Sequence, residues 1–461
     1  MSARAAVVGA GPSGFYAADQ LLKQGIAVDL FDALPTPYGL VRAGVAPDHP
    51  KIKSVTRMYD RTAQHPDFRF FGGVELGVEV TAGELLERYH ALVYAVGTPT
   101  DNRLGIPGDE RPGSVAATRF VAWYNGHPGH ADETFDLSCS RAVVIGNGNV
   151  AIDVARMLAL DPDELASTDT ADHALAAFAT AAVTEEVILG RRGPAQAAFT
   201  NPELRELGEL GGADVVVDPA ELELDADSAA WLESGDASPT AVRNVAMLRE
   251  FAARPPAGRS HPIELRFCRS PVAVLGDGDG PVTGLRVVRN RLERDPRSGV
   301  RAVASGEHEE IPCGLVIRSV GHRGRPLPGV PFDERRGLIR NDGGRVCDED
   351  GTTRRGEYAV GWIKRGPSGV IGTNKKCAAD TVAALLEDLA AGRLADPPAA
   401  GGEAIEAWLR SRIPEVVTWR GWEAIDEHER GRGAPAGRPR VKLVRVPEML
   451  AVAGQKTGVS V

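Results

Sequence analysis

The chain has 461 residues, 43% of them apolar, and a formal net charge of −10 at pH 7. That length predicts two large domains or about three smaller ones, and the acidic balance disfavours nucleic acid as a general partner, which needs a basic footprint. No stretch reaches the ~18 continuous apolar residues of a membrane span, and the five scattered cysteines (Cys139, Cys268, Cys313, Cys347 and Cys377) argue against a disulfide framework, a zinc site and an iron–sulfur cluster within the chain.

The first strand starts at about Ala3, which leaves no room for a signal peptide, so the expected compartment is the cytoplasm. The apolar run from Ala5 to Val8 breaks into Gly9, Gly11 and Gly14 at G-x-G-x-x-G spacing, and an amphipathic helix carrying Phe15, Ala18, Leu21 and Leu22 follows. Strand, tight turn and helix N-terminus together form a cradle for a pyrophosphate, because the glycines let the backbone approach and the helix end presents N–H groups. A second strand, Ala27 to Phe31, ends at Asp32, where a ribose-binding carboxylate belongs. The segment from Pro35 to Pro50 holds too much proline and glycine for helix or strand, yet is too apolar for a solvated linker, so it reads as a long ordered loop with a function. His49 ends it, before a predicted helix from Ile52 to about Gln64, and the plain reading of that histidine is a residue at a helix N-terminus. A strand near Phe68, a helix from Ala82 and a buried strand from Ala91 to Gly97 follow, and Thr98 to Gly113 reads as a domain crossing.

A second fingerprint, of the G-x-G-x-x-A form, spans Gly146, Asn147, Gly148, Asn149, Val150 and Ala151, with the β-branched strand Arg141 to Ile145 before it and a helix to Leu158 after it. Two such units in one chain are far more specific than one. The strand after this helix, Glu186 to Gly190, runs into Arg191 and Arg192 instead of an acid. Arginine at that point suits a 2′-phosphate, so the second unit is expected to select NADP(H). A helix from Pro202 places Glu203 and Glu206 in its first turns, where the helix dipole accounts for them equally well. Residues 221–262 read as a peripheral helical excursion, Ile263 to Val300 as an antiparallel meander, and Leu315 to Gly321 as another buried strand. A Gly-rich turn after Trp362 leads to a helix expected from Ala378 to about Ala390, and the segment holding Trp408, Trp419 and Trp422 is expected to pack on the first domain.

The two dinucleotide units, the second inserted between the first and a C-terminal strand, resemble the two-dinucleotide-binding-domain flavoproteins. The finer motifs are similar to those of the adrenodoxin reductase type of ferredoxin–NADP⁺ reductase: PTPYGLVRAGVAPDHPKIK from Pro35, FVAWYNGHP from Phe120, VVIGNGNVAIDVARM from Val143, LGRRGPAQAAFTNPELREL from Leu189 and VGWIKRGPSGVIGTNKK from Val360. The resemblance implies an α/β fold of two Rossmann-like three-layer domains, with an NADP-binding domain (104–325) inserted into an FAD-binding domain (1–103 and 326–461). It implies an NADPH-dependent reductase passing electrons through FAD, one at a time, to a ferredoxin-type iron–sulfur protein. By the same mapping Gly9, Gly11, Ser13, Gly14, Asp32, Leu40, Leu76, Trp362, Gly369, Val370 and Ile371 hold FAD. Asn147, Gly148, Asn149, Val150, Arg191, Arg192 and Glu203 hold NADP(H), and His49 and Glu206 match the family's active-site His and Glu.

Basic candidates for docking the partner are Lys51, Lys53, Lys364, Arg365, Lys375 and Lys376. The chain departs from the family's pattern in carrying Asp32 where glutamate is usual, and in having few basic residues around Arg243. A diaphorase acting on quinones or other small acceptors, and a non-catalytic NADPH-sensing flavoprotein, are the alternatives. A disulfide reductase and an amidotransferase-linked flavin subunit lack their cysteines here.

Overall fold

The computed structural model describes residues 3–255, 257–295, 299–397 and 401–457. They divide into two compact units: residues 1–100, 125–131 and 321–461 form one, and 101–124 with 132–320 form the other. Residues 125–131, which the sequence reading leaves inside the middle domain, cluster with the outer unit.

The outer unit is built on an eight-stranded sheet. Strand Arg4–Val8 lies between Ala27–Asp32 and Ala91–Tyr94 and is parallel to both. Phe68–Gly72 and Thr353–Ala359 extend the parallel set outward, and short antiparallel strands close the edges. Side chains alternate between the two faces of a strand, and here both faces are buried. Ala5, Val7, Val28 and Leu30 enter one apolar cluster with helices Pro12–Lys23 and Thr373–Ala390. Ala6, Val8, Phe31 and Leu92 enter another with Leu85, Ile405 and Leu409. This double burial explains why these strands read as unbroken apolar runs. Phe15 and Leu21 of the first helix are fully buried, each contributing roughly 1.5–3 kcal/mol of burial free energy.

The inserted unit repeats the plan. Strand Arg141–Ile145 lies between Glu185–Leu189 and Leu315–Arg318, parallel to both, in a six-stranded sheet. Ala142 and Val144 face a helical layer, whereas Val143 and Ile145 face a three-stranded antiparallel sheet through Val274, Leu285, Val287 and Ile311. The two sheets establish the expected α/β class with Rossmann-like domains.

Several boundaries differ from expectation. The predicted helix from Ile52 is two short helices, Pro50–Lys53 and Thr56–Ala63. The predicted meander loses its first strand to the central sheet, where His261–Arg266 pairs in parallel with Glu185–Leu189 and Ala213–Val216. The supposedly peripheral excursion contains helix Pro239–Ala253, whose Leu248 and Phe251 belong to the core. The helix after Trp362 begins at Thr373, because four polar residues form its first turn and the apolar period starts only at Cys377.

Candidate dinucleotide sites

In both sheets the Gly-rich turn follows the strand at which chain order reverses, the point where open α/β sheets leave a crevice beyond their carboxyl ends. In the outer unit Gly9 has φ +108°, and a Cβ there would stand 2.5 Å from the carbonyl oxygen of Ala95. A Cβ on Gly14 would stand 2.0 Å from the Gly9 carbonyl oxygen. Gly11 is different: its Cβ would meet only the Cα of Gly39, at 4.0 Å, so its face is left for something outside the turn.

The ordered loop at 35–50 closes over this turn. Tyr38, buried and at φ +84°, donates its backbone N–H to Ala10 O at 2.8 Å. Its phenol donates to Asp60 and accepts from Trp422 Nε1 at 3.3 Å. Leu40, just beyond, is exposed and opens a one-turn helix. Arg42 grips the fully buried Glu429 with both guanidinium nitrogens, and Glu429 also accepts from Arg440 and the Leu443 backbone N–H. The C-terminal segment thus packs on the loop.

Asp32 ends its strand half-buried, and its two carboxylate oxygens accept the backbone N–H of Ala10 at 2.7 Å and of Leu34 at 2.9 Å. Burial pushes its carboxyl up to about 6 despite those bonds, which pull the other way. Leu76 is buried beside Val8 and Phe31, with its side chain in the core. Ser13 lies under Gly361, whose added Cβ would collide with Ser13 Oγ at 1.9 Å. The next residue, Trp362, packs its ring against His322 in a tilted pair, centroids 5.3 Å apart, and its buried indole N–H has no partner among the described residues. Gly369 (φ +78°) and Val370 are exposed, and Ile371 packs on the core just before helix Thr373–Ala390. His49 is buried at the N-terminus of helix Pro50–Lys53, where its carbonyl accepts the Lys53 N–H. Of the basic candidates, Lys364 is held by Gly343 O and Thr381 Oγ1, and Arg365 by Ser368 and Asn374. Lys51, Lys375 and Lys376 are exposed.

In the inserted unit Gly146, at φ +129°, would place a Cβ 2.1 Å from Ser319 O, whereas one on Gly148 would meet nothing within 4 Å. Asn147 O accepts the N–H groups of Ala198 and Phe199, and Asn149 Oδ1 accepts that of Thr200, so the turn is stitched to the loop before helix Asn201–Gly208. Val150 packs on the core at the start of its helix. A Cβ on Gly190 would stand 2.8 Å from Asn147 Nδ2, so glycine at that strand end leaves room for the Asn147 side chain.

Arg191 is exposed and Arg192 half-buried, and among the described residues neither guanidinium makes an ion pair. Burial and the like charge of Arg191 hold Arg192 below its ordinary range. Glu203 is buried and Glu206 exposed. Both approach the buried Arg156, at 3.5 and 3.9 Å, which also holds Asp153 at 2.8 Å. Burial first, then the charge of Asp153, pushes Glu203 up, and Arg156 opposes them. All eleven FAD candidates thus lie in the outer unit, Leu76 among them in its core, and the NADP candidates lie in the inserted one. His49 belongs to the outer unit and Glu206 to the inserted one.

Residues 3–188 match the model of the family described as pyridine nucleotide-disulphide oxidoreductase. The NADPH-ferredoxin reductase FprA of Mycobacterium leprae is 49% identical, with 97% of each chain covered. The human mitochondrial NADPH:adrenodoxin oxidoreductase is 42% identical over 97% of this chain and 91% of its own. The solved structure of Mycobacterium tuberculosis FprA in complex with NADPH superposes with a TM-score of 0.92 at 48% identity, covering 98% of this chain and all of that one.

The chain belongs to the NADPH–ferredoxin reductase family.

Members of such a family need a flavin and a nicotinamide site, and the two crevices fit both groups on their own geometry. Gly11 and Gly148 keep their faces open, the Trp362 indole N–H awaits an acceptor, and two adjacent unneutralised arginines suit a phosphate. Sequence reasoning passed over Arg156 and also Asn244, whose carboxamide is fully buried and donates to Phe199 O at 2.8 Å while accepting from Asn201. A lone asparagine at a core position of an amphipathic helix is the signal that marks it. Among the described residues no helix is long and apolar enough to cross a membrane, and the five cysteines are free.

Proposed function

We propose that this chain is an NADPH-dependent flavoprotein reductase that passes electrons through FAD, one at a time, to a ferredoxin-type iron–sulfur protein. The observation that carries the reading is the Arg191–Arg192 pair, two cations without an ion-pair partner among the described residues, at the strand end of a dinucleotide crevice. A cytoplasmic location goes with the five free thiols.

FAD, when bound, converts a two-electron hydride donor into a one-electron donor, and the protein supplies binding, orientation and electrostatics. Gly9, Gly11 and Gly14, with Ser13 at the helix start, admit its pyrophosphate, and Asp32 faces its ribose. Leu40 and Leu76 line it through their backbones, and Trp362 with Gly369, Val370 and Ile371 covers the ring end. In the inserted unit Asn147, Gly148, Asn149 and Val150 receive the NADP pyrophosphate on N–H groups at a helix N-terminus. Arg191 and Arg192 clamp the 2′-phosphate, and Glu203 contacts the coenzyme. His49 and Glu206 orient the nicotinamide or hold the proton at the reacting end. Lys51, Lys375 and Lys376 remain the exposed cations for an acidic partner, so the rate of partner reduction falls with salt.

The test is anaerobic mixing of the yellow purified protein with NADPH or NADH. Fast bleaching by NADPH and slow bleaching by NADH is expected, followed by reduction of an added ferredoxin. A colourless protein, or one that stays yellow, removes the reading. His49→Ala and Glu206→Ala variants that reduce their flavin at the wild-type rate would remove those two residues from the reaction.

A further inference from the structure

The Arg191–Arg192 turn poses a physical problem of its own. Two neighbouring guanidinium groups repel, and any carboxylate that neutralised them would compete with an incoming phosphate. The restraint on the turn therefore has to come through its backbone. The geometry shows where that restraint originates. Arg191 O accepts Asn290 Nδ2 at 2.8 Å. Asn290 N–H donates to Cys268 O at 2.8 Å, and Cys268 N–H donates to Arg192 O at 3.1 Å. These three bonds close a ring that takes in both arginine carbonyls.

Each member has a feature that makes sense only in this ring. Cys268 is one of two non-glycine residues at positive φ (+53°) among the described residues, and this lets its N–H and C=O serve opposite sides of the ring. Asn290 sits where the pairing of strands Gly284–Asp295 and Gly299–Pro312 shifts register, so a bulge re-aims its side chain. It is 7% exposed, and its second amide hydrogen goes to Ser270 Oγ at 2.8 Å. Asparagine is unfavourable in strands, and here both of its amide hydrogens are committed.

We propose that Asn290 is a positioning residue for the Arg191–Arg192 turn and thereby sets the preference for a 2′-phosphorylated coenzyme. The inference rests on the reading that the pair takes the 2′-phosphate. Asn290 touches no coenzyme in this scheme. It fixes the direction in which two side chains leave a turn.

The experiment uses the full-length, flavin-loaded protein with Asn290→Ala and, as a variant that keeps a polar group in the bulge, Asn290→Ser. Binding of 2′,5′-ADP and of 5′-AMP is measured by calorimetry, and KM and kcat are measured with NADPH and NADH. Both variants are expected to bind 2′,5′-ADP about five- to tenfold more weakly, the effect of one lost buried hydrogen bond. Binding of 5′-AMP, KM for NADH and kcat at saturating NADPH are expected to stay within about twofold. Wild-type binding of 2′,5′-ADP by both variants overturns the inference, and so does an equal loss for 5′-AMP and NADH, which is plain structural damage. Arg191→Ala and Arg192→Ala run alongside. If these keep the 2′-phosphate preference, the reading of the pair fails and this inference falls with it. If they lose it while the Asn290 variants keep it, this inference alone falls.

Discussion

The two crevices begin with the same construction and end with opposite charges. In each, a buried parallel strand stops at a positive-φ glycine pressed against a neighbouring strand's carbonyl, Ala95 O for Gly9 and Ser319 O for Gly146. The difference lies at the end of the second strand. In the outer unit Asp32 turns back and ties its carboxylate to the N–H groups of Ala10 and Leu34. In the inserted unit that position is Gly190, which makes room for the side chain of Asn147. The charge is carried one and two residues later, by arginines anchored from a separate sheet. One crevice thus ties its turn with the charged residue at its strand end, whereas the other ties its turn and places its charge with different residues. The separation leaves the arginines unneutralised.

The shared part of the construction gives the largest expected effect. Gly9→Ala and Gly146→Ala each force a Cβ to within 2.5 and 2.1 Å of a backbone oxygen at a φ that suits only glycine. Both are backbone oxygens of residues whose own N–H groups are bonded into the sheet, Ala95 to Val8 O and Ser319 to Ile145 O. A loss on the order of 3 kcal/mol or more is expected for each, read from denaturant melts. A variant as stable as the wild type would mean that the crevices are not organised around these contacts.

A smaller effect separates the two crevices. Asp32→Asn retains one acceptor but turns an amide N–H toward a backbone donor, leaving one backbone N–H unpaired, at about 1–2 kcal/mol. The pH dependence carries a sign. The carboxyl titrates at about 6 in the fold and at about 4 in the unfolded chain. Between those values the folded state holds the extra proton, so the contribution of this group rises as pH falls from about 6 to 4. Asparagine has no such slope, and the stability gap between wild type and variant should therefore widen as pH is lowered from 7 to 5. A gap that narrows would mean that the carboxylate is not buried as described. No counterpart is expected at Gly190.

How much of this was legible beforehand depends on the type of signal. The strands and glycine turns were, because fully buried parallel strands leave unbroken β-branched runs and positive φ leaves glycine. The charge reversal at Arg191–Arg192 was legible for the same local reason. Strand His261–Arg266 was misread as antiparallel because six residues with Pro262 inside carry no mark of direction. The start of helix Thr373–Ala390 was set late because its first turn is polar throughout. Arg156, Asn244 and Asn290 stayed hidden because each acts on a partner 45 to 99 residues away, and single polar residues have no period.

The smallest expected effect on stability is also the sharpest test of the division between fold and ligand. Gly148 stands two residues beyond Gly146, yet a Cβ there meets no protein atom within 4 Å. Its φ of −102° is open to any residue, and it serves only as the N-cap of helix Asn149–Ala159. Replacing glycine by alanine at an N-cap changes stability by less than about 1 kcal/mol. Gly148→Ala should therefore melt close to the wild type while binding 2′,5′-ADP and NADPH at least about tenfold more weakly, because the added methyl would occupy the approach proposed for the pyrophosphate. Were the coenzyme to bind unchanged, Gly148 would be an incidental N-cap, and the open face beside it would not be where the phosphates lie.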